Sequence, residues 1–187
     1  NNIGMTYLYM GELDTAARYF QQAADWYGEH AEWQDEIYPL FNLATIDFDR
    51  GNLIKAAGWY QRAIDNWPPG KMDLELSHFL DNLATTQKAL NRFDSALEIF
   101  DRVVETAPDF AEGWNKRATV HYMRDDLSRS VQDIQRTLQL EPRHYGALSG
   151  MGLIFIQVGD AQGALKTYEE VIKIHPYSPS ARAHVEF

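Results

Sequence analysis

Three asparagines, Asn2, Asn42 and Asn82, stand 40 residues apart, and Met5, Thr45 and Thr85 follow them at the third place. A primary amide offers a donor and an acceptor together, so a row of them can pair with the backbone of an extended peptide whatever its side chains are. Thr119, Tyr38, Phe41, Phe48, Asn115 and Tyr122 lie at neighbouring positions and complete a candidate peptide-binding set. Three net hydrogen bonds contribute about 2 to 5 kcal/mol at ~0.5–1.5 each, whereas micromolar binding needs roughly 8 kcal/mol. The aromatic members must therefore bury apolar surface of the ligand to supply the remainder. The competing reading is that the asparagines bond between adjacent helices and the aromatics complete the packing.

Other chemistry finds little footing. The histidines His30, His78, His121, His144, His175 and His184 show no helical two-His spacing for zinc. There is no cysteine, so thiol catalysis, disulfides and Cys-based metal sites are excluded. A Gly-rich phosphate loop and a nucleophile elbow are both missing. The expectation is a chain that is no enzyme, with no catalytic residues, no metal and no cofactor.

The elements that must position the asparagines repeat five times. Gly11, Gly51, Asn91, Asp125 and Gly159 follow at intervals of 40, 40, 34 and 34 residues, each a turn residue between two helices. Five places after each turn comes a small residue (Ala16, Ala56, Ala96, Ser130, Ala164). Nine places on comes a large one (Phe20, Tyr60, Phe100, Ile134, Tyr168). Small residues recur in the first helices at Gly4, Ala44, Ala84, Ala118 and Gly152, where two helices have to approach closely. Pro68, Pro108, Pro142 and Pro176 close four units, with Gly28 in that place in the first. Asp14, Asp94 and Ser128 stand where second helices begin and are the expected caps. Ser178-Pro179 reads as a cap and first-turn proline opening a last helix.

This pattern resembles the tetratricopeptide repeat, whose period is about 34 residues. The resemblance covers residues 1 to 176, and departures are local: the first-helix aromatic is kept as Tyr7 and Phe155 but replaced by Asp47, Gln87 and His121. It implies an all-α fold, a right-handed superhelical solenoid of about five helix-turn-helix repeats with a C-terminal capping helix. The expected organisation is a single domain over 1–187, with repeats at about 1–30, 31–70, 71–110, 111–144 and 145–178, and the capping helix starting at 179–187. The six extra residues per connection in the first units are expected to lengthen helices rather than loops. The join near Pro108 is expected to change superhelical pitch without being a domain boundary. The longer repeats also resemble those of kinesin light chain and related cargo adaptors, which implies peptide contacts for Asn2, Asn42 and Asn82. A carboxylate clamp of the kind found in chaperone-tail-binding members is not expected, because only Lys116 is basic at the matching inner places.

Charge narrows the partner. The net charge is −10, and residues 1–110 hold 18 acidic and 8 basic side chains, which carries all of it. That balance repels phosphate backbones and excludes nucleic acid as an expected partner. It favours a basic or neutral protein or peptide. A hydrophobic content of 45% argues against disorder, and no apolar run is long enough for a membrane span. A cytoplasmic setting is the default expectation, although the sequence opens inside a helix and a signal could precede it. The functional expectation is a scaffold holding an extended partner segment in a concave groove. The alternatives are a self-assembling module that forms a homo-oligomer, or a regulatory module of a larger enzyme or of a secretion or assembly complex.

Overall fold

The computed structural model describes residues 2–30, 33–68 and 74–185, and among these the chain is helical, with no strand. Two compact units, 1–107 and 108–187, divide at the proline where the repeat spacing changes. Unit 1 comprises α1 (Asn2–Tyr9), α2 (Leu13–Glu29), α3 (Trp33–Asp49), α4 (Leu53–Asp65), α5 (Leu74–Ala89) and α6 (Phe93–Thr106). Unit 2 comprises α7 (Ala111–Met123), α8 (Leu127–Leu140), α9 (Tyr145–Gln157), α10 (Ala161–Ile174) and α11 (Pro179–Val185). Within each unit every helix packs on the next, so each is a stack of helix pairs whose neighbours bury one another's apolar faces.

The five turns are built alike. Gly11, Gly51 and Gly159 have φ of 77° to 80°, and Asn91 and Asp125 have φ of 58° and 63°. This left-handed region suits glycine and, among other residues, is best tolerated by Asn and Asp. The backbone N–H of each turn residue reaches the carbonyl three back (Gly11 N to Leu8 O, 3.0 Å), and the next N–H reaches the carbonyl five back (Glu12 N to Tyr7 O, 2.9 Å). The same pair recurs at Asn52 N to Asp47 O (2.8 Å), Arg92 N to Gln87 O (2.9 Å), Asp126 N to His121 O (2.9 Å) and Asp160 N to Phe155 O (2.8 Å). It satisfies carbonyls that a helix end otherwise leaves without a partner.

This turn also relocates the expected caps. Asp14, Asp94 and Ser128 lie second in their helices. The cap positions are Glu12, Asn52, Arg92, Asp126 and Asp160, and only Asp126 (to Arg129 N, 3.2 Å) and Asp160 (to Gly163 N, 2.9 Å) cap with a side chain. Asp14 instead pairs with Arg50. Gly28 does not close the first unit either, since α2 runs on to Glu29.

Small residues buy close helix approach. A Cβ on Gly4 would lie 2.7 Å from the Phe20 ring, and one on Gly152 would lie 2.8 Å from the Tyr168 ring. Phe20, Phe100 and Tyr60 are almost fully buried, each worth about 1.5–3 kcal/mol on burial. The extra residues of the first connection go into helices, as expected: α2 and α3 have 17 residues each, against 13 or 14 for α7 to α10. Around the second, α4 has 13 and α5 has 16, so helices take up only part of the excess. Much of the two connections (31–32 and 69–73) lies outside the described residues. Ser178 Oγ accepts from Ala181 N (3.4 Å) to open α11. Ala181 of α11 is fully buried beside Tyr168 and Val171.

Candidate functional site

The candidate residues fall on first helices in both units. Unit 1 holds Asn2, Tyr38, Phe41, Asn42, Thr45, Phe48, Asn82 and Thr85, and unit 2 holds Asn115, Thr119 and Tyr122. Asn2 is exposed, and Asn42 and Asn82 are half-buried. No hydrogen bond from the Asn42 amide is found among the described residues, whereas Asn82 Nδ2 donates to the His78 carbonyl (2.8 Å). In unit 2 Asn115 Nδ2 donates to Glu112 Oε2 (3.3 Å).

The threonines are more committed to the fold. Thr45 Oγ1 meets the Phe41 carbonyl (3.1 Å) and the Tyr60 hydroxyl (3.1 Å), and Thr119 Oγ1 donates to the Asn115 carbonyl (3.0 Å). Burial pushes the Tyr60 phenol above its usual value, partly offset by the Thr45 hydrogen bond. Thr85 Oγ1 is buried and has no partner among the described residues.

The aromatics divide. Phe41 is wedged between Tyr60 (ring centroids 5.4 Å apart) and Phe79 (4.4 Å), which is a packing role. Tyr38 is 47% exposed and its hydroxyl donates to Glu75 Oε1 (2.7 Å). Phe48 is half-buried, and Tyr122 packs at the edge of the cluster around Ala118 and Ile134. Among the eight unit 1 candidates, the asparagines and Tyr38 therefore offer the most accessible polar surface.

Two of the three first-helix positions without an aromatic are reused. Asp47 accepts from Asn52 Nδ2 (2.9 Å) and Trp59 Nε1 (3.0 Å), which ties the turn to α4. His121 is buried beside Asp133, which is held by Arg117 through two bonds (2.8 and 2.7 Å). Burial pushes the His121 imidazole below its usual value, against the pull of Asp133. Gln87 leaves a buried carbonyl oxygen with no partner among the described residues. At the α9 N-terminus, His144 Nε2 bonds Glu112 (2.9 Å) while its Nδ1 accepts from Ala147 N (3.1 Å). The Glu112 hydrogen bond holds His144 above its usual value, and His144 holds Glu112 below its own.

Two grooves that sequence reasoning did not single out lie against second helices, each of about 610 Å³. The groove of unit 1 is formed by α2, α3 and α4, and that of unit 2 by α8 and α9. Arg50, Lys55 and Arg62, close together in an otherwise acidic stretch, were the available signal for the first, whereas Arg18 is distant in sequence. Among the described residues no group of His, Asp and Glu is arranged to hold a metal ion, and no helix is long and apolar enough to cross a membrane.

Comparison with known proteins agrees with this architecture. A TPR repeat-containing protein of Rhizobium etli is 39% identical over 94 residues, covering 50% of this chain and 46% of that protein. The human FK506-binding protein-like protein is 28% identical over 163 residues, covering 82% of this chain and 46% of that protein. The chain thus spans less than half the length of either relative. Among solved structures, MamA superposes with a TM-score of 0.78 at 15% identity, covering 93% of this chain and 95% of that one. YrrB, described as a TPR protein with an unusual peptide-binding site, gives 0.76 at 14% identity over 100% of this chain and 90% of that one. These structural likenesses are of fold. The family profile described as "Tetratricopeptide repeat" matches residues 1–71, 82–140 and 124–179, and with five identical turns beneath that match the chain belongs to the tetratricopeptide repeat family.

Proposed function

We propose that this chain is a non-catalytic adaptor that holds an extended segment of a partner protein along the first helices of unit 1. The tetratricopeptide fold is in general a protein–protein interaction scaffold, which supports the broader part of this reading. The observation that carries the finer part is Asn42: its half-buried amide makes no hydrogen bond among the described residues, at the repeat position that Asn2 and Asn82 also occupy. In this role Asn42 pairs with the ligand backbone, Asn2 and Asn82 extend the contact, and Tyr38 adds apolar surface. Thr45, Thr85, Phe41 and Phe48 shape the floor. Asn115, Thr119 and Tyr122 are proposed as the corresponding contacts in unit 2. The acidic balance of residues 1–110 favours a basic or neutral segment there.

The test is selection of random peptides on the wild-type protein, followed by titration of the selected peptides against an Asn42→Ala/Asn82→Ala variant. Loss of two backbone pairs at ~1 kcal/mol each weakens binding about 5- to 30-fold, with the helical circular dichroism unchanged. Equal affinity for both proteins returns the asparagines to packing. Self-assembly is the second reading, favoured by Ile3, Tyr9 and Met10, which are 56%, 83% and 64% exposed. A mass that doubles with concentration in light scattering, and falls when these three become polar, would support it.

A further inference from the structure

The groove of unit 1 uses a different face of α3 from Asn42 and Thr45. Leu43 and Ile46 form its floor and are nearly buried. Trp59 forms one wall, its indole N–H fixed by Asp47 (3.0 Å), which Asn52 fixes in turn (2.9 Å). The groove is therefore apolar inside, with a rigid aromatic wall and a volume within the range of small-ligand sites.

Its rim is cationic. Arg18, Arg50, Lys55 and Arg62 line it, half of the eight basic residues of 1–110, beside 18 acidic ones in the same stretch. Arg50 reaches Asp14 (2.6 Å), an almost fully exposed carboxylate, and Arg62 pairs with the buried Glu36. Arg18 and Lys55 have no acid partner among the described residues, and both are exposed. A further detail concerns Gly58. Glycine inside a helix costs stability, yet a Cβ here would touch nothing within 4 Å, so the fold does not demand it. Its missing side chain keeps the groove open on the α4 side.

We propose that this groove docks a short acidic segment of a partner protein that carries one apolar or aromatic side chain. The apolar side chain lies on Leu43, Ile46 and Trp59, and flanking carboxylates pair with Arg18 and Lys55 and compete with Asp14 for Arg50. The charge pattern selects the occupant. A long polyanion meets repulsion from the acidic remainder of unit 1, whereas a few carboxylates on the rim meet its four cations, the acidic residue that lines the groove, Asp47, being engaged by Trp59 and Asn52. The occupant thus differs in sign from the segment proposed for the asparagine face.

The test is a ¹H–¹⁵N NMR titration with three blocked hexapeptides, each bearing two Glu or Asp on either side of a central pair containing Leu, Phe or Trp. At least one is expected to shift the Trp59 indole and Gly58 amide signals saturably, with a Kd of about 10–100 μM. Binding should weaken roughly tenfold or more in Arg18→Glu/Lys55→Glu and with added salt. Gly58→Met, which improves helix propensity and fills the groove, should abolish it, while Asn42→Ala/Asn82→Ala should leave it intact. The proposal is overturned if no peptide moves Trp59 by about 1 mM, if Gln/Asn versions bind equally, or if inorganic phosphate alone binds as well. It is also overturned if light scattering shows a dimer of this chain that the Arg18→Glu/Lys55→Glu variant dissolves, because a second copy is then the occupant.

Discussion

The groove of unit 1 and that of unit 2 are built at the same positions of the repeat and carry opposite chemistry. Ala17, Arg18, Asp47 and Arg50 line the first. Val131, Gln132, Phe155 and Val158 stand at those places in the second. The backbone that shapes them is shared, down to the left-handed turn residues Gly51 and Gly159 that end their floor helices α3 and α9. Arg18 and Arg50 thus stand where the second groove has the uncharged Gln132 and Val158, and Lys55 and Arg62 complete the cationic rim of the first. Repetition supplies the concavity, and a few side chains per unit decide what it can recognise.

The supports beneath the two grooves also differ, which offers ways to break the comparison. The largest effect is expected in unit 2, where Asp133 is nearly buried and holds Arg117 by two bonds. Asp133→Ala removes the nearly buried carboxylate that accepts two bonds from Arg117, and should cost up to about 3–5 kcal/mol, read from urea denaturation. If 1–187 behaves as a single domain, the fluorescence of Trp59 in unit 1 and Trp114 in unit 2, each followed in a variant lacking the other tryptophans, should shift together. Separate transitions would make the two units independent domains. A cost under about 1 kcal/mol would remove the ion pair from the account of unit 2.

A smaller effect sharpens the likeness instead. Gly4→Ala and Gly152→Ala place the same methyl against Phe20 and Tyr168 at 2.7 and 2.8 Å. Each should lose about 1–3 kcal/mol through overpacking, and the two losses should agree. A marked difference in melting shift would mean that the helix pairs of the two units yield differently.

The smallest effect is pH-dependent and belongs to unit 2. His144 sits above its usual value because of Glu112, so its contribution is complete below 6.5 and lost as pH rises through its folded value. Glu112 sits below its usual value, so its contribution holds above 4.5 and disappears on stronger acidification. His121 is held below 6.5 by burial and acts in the opposite sense, costing stability as pH falls below that value. Denaturation midpoints at about pH 5.5 and 7.5 separate them. His121→Gln, which borrows the residue found at Gln87, should raise relative stability at the lower pH. His144→Asn, which keeps a helix cap, should lower it. Identical pH responses in both variants would contradict these assignments.

Much of this architecture was legible in the chain. The turn column, Gly11 to Gly159, is a requirement on backbone dihedrals, and residue type reports such requirements directly. Gly4 and Gly152 likewise announced close helix approach. The caps were misread, because Asp14 and Asp94 lie near helix starts in sequence, whereas the turn assigns the cap position two residues earlier. The candidate site was legible only as a list of polar residues. That Phe41 is wedged between Tyr60 and Phe79, or that Thr45 is tied to the Phe41 carbonyl, depends on side chains from other helices.

The sequence by itself determined the helix-turn-helix unit, its five copies and the family, since these rest on local conformational preferences and on spacing along one chain. Only the tertiary structure decided that Arg18 of α2, Arg50 in the turn after α3 and Lys55 and Arg62 of α4 share one rim over Leu43 and Ile46. That convergence arises from the packing of three helices, and no spacing within a single helix encodes it.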